Sequence, residues 1–124
     1  MDQSRSRAPR VLLVEDEVLI SMMIEDAMLA RGFEVYTATN AGDALQVLTE
    51  GPQVDVLFTD VNIEGDMDGT ALACRARELH PELAVLYASG SMKSIANAVP
   101  GSTFVPKPYA LADVCKMVAL MASA

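Results

Sequence analysis

Short apolar runs alternate along the chain with longer stretches of helical period. Val11-Leu12-Leu13-Val14 is continuous and the run from Val54 to Phe58 is interrupted only by Asp55; both are rich in valine, the mark of strands buried on both faces. Phe33 to Ala38 alternates as another strand, Leu83 to Ala88 is a fourth, and Thr103-Phe104-Val105-Pro106 is a short fifth. Between them, Ile20, Ile24, Ala27 and Met28 repeat at helical spacing up to about Arg31, with Gly32 as a stop. Asn40 with Asp43 three residues on predicts a capped second helix that Gly51-Pro52 closes. Leu72, Ala76 and Leu79 give a third helix ending at His80-Pro81, and Leu111, Val114, Val118 and Met121 a last one. Met92, Ile95 and Val99 could line a short helix within Ser91–Pro100, cut off by Pro100-Gly101.

Strands alternating with helices of this length form βαβ units with right-handed crossovers and a parallel sheet covered on both sides. The predicted fold is therefore a small, doubly wound α/β domain. Pro106 in the fifth strand requires an edge position, with its nitrogen turned away from the fourth strand.

The composition fits that fold and narrows the partners. A chain of 124 residues that is 52% hydrophobic builds one domain with one core. A formal charge of −8 argues against nucleic acid or an anionic membrane as partner, since both need clustered Lys and Arg. That leaves a protein, a cation or both. No apolar run reaches transmembrane length, and residues 1–9 read as a polar, disordered tail ahead of a domain over 10–122, which points to the cytoplasm. Cys74 and Cys115 suit two buried helix thiols better than a metal cluster.

The chemistry lies in the residues that end the strands. Strand one delivers Glu15 and Asp16, strand three Asp60, strand four Ser89, and strand five is followed by Lys107. In an open parallel sheet all of these meet at the carboxyl edge, where ligands bind. Converging carboxylates repel by roughly 3–4 kcal/mol per pair at contacts of about 4–5 Å and an effective dielectric of about 20. A hard divalent ion taking carboxylates, a carbonyl and waters relieves that repulsion, which describes Mg²⁺. Lys107 supplies a positive charge and Ser89 a hydroxyl to a phosphoryl group carried by Asp60 as nucleophile.

With Val14-Glu15-Asp16-Glu17, Phe58-Thr59-Asp60-Val61-Asn62, Met67-Asp68-Gly69, Ala88-Ser89-Gly90 and Lys107-Pro108 in this order, the chain from about Arg10 onward resembles the receiver domain of two-component response regulators. The resemblance implies a flavodoxin-like five-stranded parallel sheet of order 2-1-3-4-5, with the first and last helices on one face. It implies a phosphorylation-activated signalling switch, not a metabolic enzyme, which catalyses only its own phosphorylation and dephosphorylation. Its phosphoryl group would come from a histidine kinase or a histidine phosphotransfer protein. Asp60 is then the phosphoacceptor, with Asp16, Glu15 and the backbone carbonyl of Asn62 holding Mg²⁺. Ser89 and Lys107 take the phosphate oxygens, and Phe104 stands at the aromatic switch position. The Lys107-Pro108 bond is expected to be cis, and a homodimer on phosphorylation is within the family's range.

The chain departs from the family in three places. The loop after Asp60 has one extra residue and no proline, bringing Glu64 and Asp66 near the site entrance. The stretch from Ser89 to Lys107 is about four residues short, at the expense of the fourth helix, and Pro106 stands where an ordinary strand residue is common. His80 reads as a surface residue at a helix end, Tyr109 as a packing residue, and Met22, Met23 and Met28 as core and rim. Two other functions stay open: a pseudo-receiver that binds a partner whether or not it is phosphorylated, and a Mg²⁺-dependent aspartyl-phosphate phosphohydrolase. The second normally has another acid two residues after its nucleophile, where this chain has Asn62. Whether the chain is a stand-alone regulator or part of a larger kinase or regulator is not encoded in these motifs.

Overall fold

A computed structural model describes residues 7–90 and 97–123. The chain runs β1 (Arg10–Val14), α1 (Val18–Ala30), β2 (Glu34–Ala38), α2 (Ala41–Glu50), β3 (Val56–Asp60), α3 (Gly69–Leu79), β4 (Ala84–Ser89), β5 (Thr103–Pro106) and α4 (Leu111–Ala122). All strand pairs are parallel, and the five strands lie in the order β2-β1-β3-β4-β5, the predicted topology.

Strand alternation divides the core in two. Leu12 and Val14 of β1, Leu57 of β3, and Val85 and Tyr87 of β4 pack with α2 and α3 through Ala41, Ala44, Leu48, Leu72, Ala73 and Ala76. The intervening Val11 and Leu13, Val56 and Phe58, and Leu86 and Ala88 pack on the other side with α1 and α4 through Ile24, Met28, Val114 and Val118. Because β3 sits in the middle of the sheet, all five of its residues are buried, Asp60 included. Burying an aliphatic side chain of this kind is worth about 1.5–3 kcal/mol, so each side of β3 commits the strand to its position.

The helix ends follow local chemistry. Asn40 accepts from the Asp43 N–H at 2.8 Å and donates to the Asp43 carboxylate at 3.1 Å, the predicted cap of α2. Asp68 caps α3 by accepting from the Ala71 N–H at 2.9 Å and the Thr70 hydroxyl at 2.8 Å. These bonds hold the Asp68 carboxyl below its ordinary pKa. After α1 the chain turns at Gly32, whose φ of +84° favours glycine.

Several expectations need correction. Cys74 is exposed on α3, and only Cys115 on α4 is buried; the two lie on opposite faces of the sheet and both are free thiols. Leu79 is 41% exposed, so the apolar face of α3 is narrower than its spacing suggests. Of the three methionines only Met28 is core, while Met22 and Met23 are exposed. His80 is half-buried and bonds through Nε2 to the Leu48 carbonyl at 2.7 Å, tying the end of α3 to α2. The helix expected within Ser91–Pro100 falls largely on 91–96, outside the described residues. Beyond it, Val99 is buried and donates its N–H to the Tyr87 hydroxyl at 3.2 Å, and Arg77 reaches the carbonyls of Leu83 and Pro100 at 2.6 and 2.8 Å. Of residues 1–9, 1–6 lie outside the description, and Arg7 forms a two-pronged pair with Asp55 at 2.9 and 3.0 Å.

Candidate phosphoacceptor site

Parallel pairing brings the strand ends to one edge. Thr59 pairs with Val14 on one side and Tyr87 on the other, so Asp60 emerges between the residues that follow β1 and the end of β4. Asp60 is 7% exposed, Glu15 3% and Ser89 6%, so three polar side chains are buried where the sheet opens. A buried charge needs partners, and Asp60 has them on both oxygens. Oδ1 accepts from the Asn62 N–H at 3.1 Å, and Oδ2 accepts a short hydrogen bond from Lys107 Nζ.

Lys107 reaches Asp60 from the loop after β5, whose register is set by the Lys107 N–H donating to the Ser89 carbonyl at 2.9 Å. The Lys107-Pro108 peptide is cis, as expected. Burial disfavours the Lys107 ammonium, but the bond to Asp60 and the charges of Asp60, Glu15 and Glu17 prevail and raise its pKa. For the Glu15 carboxyl, burial is the largest influence and raises the pKa; the Glu17 N–H, which donates to Oε2 at 3.0 Å, opposes it, and the charge of Asp60 adds to it.

Asp16 lies nearer the surface and accepts from the Glu64 N–H at 3.0 Å. Phe104 is half-buried and stacks on the fully buried Tyr87, centroids 5.1 Å apart and planes at 23°. Tyr109 packs edge-on against Phe58 at 6.0 Å, as a packing residue should. Its hydroxyl is pushed up to about 12, by burial first and then by the charges of Glu15 and Asp60.

Among the described residues no three acidic, thiol or imidazole groups form a ready cage for a metal ion. Instead the Glu15, Asp16 and Asp60 carboxylates are each held by an N–H donor. The donor set nevertheless fits Mg²⁺, which prefers hard oxygens and keeps several waters, needing only one or two carboxylates from the protein.

An open groove of about 490 Å³ leads away from this site between α1 and the β5–α4 loop, with Glu15, Glu17 and Lys107 at one end and Ile20, Met23 and Leu111 along it. A larger hollow of about 780 Å³, lined by residues such as Gln53, Asp55 and His80, lies at the amino ends of the strands and includes none of the predicted site residues. Two participants escaped sequence reasoning. One is the main chain of Glu64; the other is Gly69, where an added Cβ would stand 2.1 Å from the Asp60 carbonyl oxygen. The motif Met67-Asp68-Gly69 contained both the cap and the close approach, but its residue types alone did not say which atoms meet.

The response regulator receiver domain family matches residues 11–119, and the chain belongs to that family. It is 33% identical over 118 residues to the sensor kinase CckA of Brucella abortus, covering 91% of this chain but only 12% of the kinase. Its identity with the response regulator receiver protein CpdR of the same organism is 29%, over 90% of this chain and 95% of that protein. Among solved structures, a response regulator receiver protein from Sinorhizobium medicae superposes with a TM-score of 0.88 at 29% identity, covering 96% of this chain and 98% of the other. The fold is accordingly that of the flavodoxin-like receivers, and the family is one of signalling switches in two-component systems.

Proposed function

We propose that this domain is switched by transfer of a phosphoryl group to Asp60 from the phosphohistidine of a histidine kinase or histidine phosphotransfer protein. The observation that carries this reading is Asp60 itself, buried at the end of β3 with Lys107 on one oxygen and Glu15 and Asp16 at the neighbouring strand end. In the transfer an Asp60 oxygen attacks phosphorus, the phosphorus–nitrogen bond of the donor breaks, and its electron pair leaves with the imidazole. Lys107, already charged at the carboxylate, turns to the incoming phosphoryl oxygens, and the Ser89 hydroxyl donates to another of them. Glu15, Asp16, Asp60 and the Asn62 carbonyl would hold Mg²⁺, which supplies positive charge against the phosphoryl oxygens when bound. The same residues then serve hydrolysis, so the domain catalyses only its own phosphorylation and dephosphorylation.

Phosphorylation draws Ser89 toward the site and moves Phe104 with it, changing the surface beside β5. Shifting such an equilibrium from 1:99 to 99:1 takes about 5.5 kcal/mol of differential interaction, within reach of a few charge-assisted contacts of about 1.5–3 kcal/mol. The donor is a protein helix docking on α1, whose Val18, Leu19, Met22 and Met23 are all more than half exposed, continuous with the groove that opens from the site. No helix among the described residues is long and apolar enough to cross a membrane, and we place the domain, over residues 10–122, in the cytoplasm with its kinase.

Intact mass after incubation with Mg²⁺ and acetyl phosphate, beside an Asp60→Asn variant, tests the reading. A phosphoryl adduct on the wild type alone, abolished by chelator, is the expected result. If neither acetyl phosphate nor a histidine phosphodonor gives an adduct, the reading fails.

A further inference from the structure

The loop between β3 and α3 makes a contact that its own closure does not require. At its base the Gly69 N–H donates to the Val61 carbonyl at 2.7 Å. Ile63, 6% exposed, pins the loop into the core on the α2 and α3 side, and Gly65, at φ +118°, turns the chain in a conformation that other residues rarely adopt. Between these two anchors the Glu64 main chain is held at the mouth of the site, and its N–H donates to Asp16 Oδ2 at 3.0 Å, across 48 residues of sequence. The Glu64 side chain is exposed. Main-chain geometry, not side-chain charge, thus makes the connection.

We infer that the Glu64 N–H is a positioning group for Asp16, fixing its carboxylate so that the remaining acceptor sites face a divalent cation. This rests on the proposed reading that Asp16 is a cation ligand. A carboxylate has about four acceptor sites, so one N–H leaves room for a metal. Donors that orient a ligand in this way commonly change metal affinity 10–100-fold when removed. The longer loop brings its own amide to a ligand that otherwise stands at the domain surface.

Mg²⁺ titrated calorimetrically into the full chain tests the inference on three proteins: wild type, Glu64→Pro, which lacks the N–H, and Glu64→Gln, which keeps it. The expected result is a dissociation constant about 10-fold weaker in Glu64→Pro and close to wild type in Glu64→Gln. Equal binding by Glu64→Pro and wild type overturns the inference, as does a Glu64→Gln variant as weak as Glu64→Pro, which would assign the effect to the side chain. A wild type that binds no Mg²⁺ instead removes the cation reading and the positioning role with it. Because proline could distort the loop, a second measurement leaves Glu64 intact. Amide exchange at Glu64 in metal-free protein should accelerate at least several-fold in Asp16→Ala, and unchanged exchange overturns the contact.

Discussion

On the α2 and α3 side of the sheet both helices begin with a side-chain cap, Asn40 and Asp68, whereas on the α1 and α4 side neither does. The residues ahead of α1 are Glu15 and Asp16, and those ahead of α4 include Lys107 and Pro108. The segments entering these two helices carry site residues and lack the cap, worth about 1 kcal/mol per helix, whereas the segment entering α3, which carries Asp60 and Asn62, keeps one in Asp68. The outer surfaces differ too. Val18, Leu19, Met22, Met23, Leu29 and Leu120 stand exposed on α1 and α4, against Leu79 alone among the large exposed apolar residues on α2 and α3. The α1 and α4 side thus has fewer side-chain caps and more exposed apolar surface than the α2 and α3 side.

The largest break in this contrast should come from Leu72→Ala. Leu72 is fully buried on α3, and the variant should lose about 2–5 kcal/mol of unfolding free energy, read as a lower urea midpoint with an unchanged slope. Gly69→Ala should cost somewhat less, about 1–3 kcal/mol, because the new methyl meets the backbone of Asp60 and Val61. It should also slow phosphorylation of Asp60 by acetyl phosphate, since relief of the clash moves the acceptor; an unchanged rate would mean that α3 gives way instead.

Asp68→Ala should cost about 1 kcal/mol at neutral pH through the lost cap. With its folded pKa below the ordinary value of 3.8, Asp68 contributes stability above that value and loses it as pH falls through the lower, folded pKa. The difference between variant and wild-type urea midpoints should therefore shrink on going from pH 7 to pH 3. Smallest in stability is Leu19→Ala, at a site 76% exposed, within about 0.5 kcal/mol of wild type. Phosphotransfer from a cognate kinase should nevertheless slow while the acetyl phosphate reaction does not. Equal rates with the kinase would show that the apolar surface of α1 is not where the donor docks.

The same contrast explains what could be read in advance. Strand period, helix period and capping are properties of side chains, so the alternating α/β architecture, the Asn40 cap and the strand-end positions of Asp60, Ser89 and Lys107 were legible, while the sheet order followed only from the family resemblance. Exposure at one position of a helix is a matter of what lies opposite. Cys74 and Leu79 fall just outside the face that α3 turns to the sheet, and spacing does not resolve that margin. The Glu64 contact with Asp16 uses a main-chain donor, which every non-proline residue has, so no residue type announces it. Arg7 with Asp55, and Tyr87 with Val99, join segments whose proximity exists only after the sheet is assembled. That Glu15 and Asp16 follow β1 and Asp60 ends the neighbouring β3 was legible, but not that each would already accept an N–H.

Pro106 bears on what the sheet can do to its neighbours. The Lys107 N–H is directed at β4, so strand alternation turns the Pro106 nitrogen toward the open side of β5. An amide there would offer a hydrogen to any extended chain that came alongside. Proline offers none, and so the sheet ends at its fifth strand in a selvedge that does not invite further stitching. Along that border an arriving strand meets a gap in the seam, and the sheet's other open margin is β2.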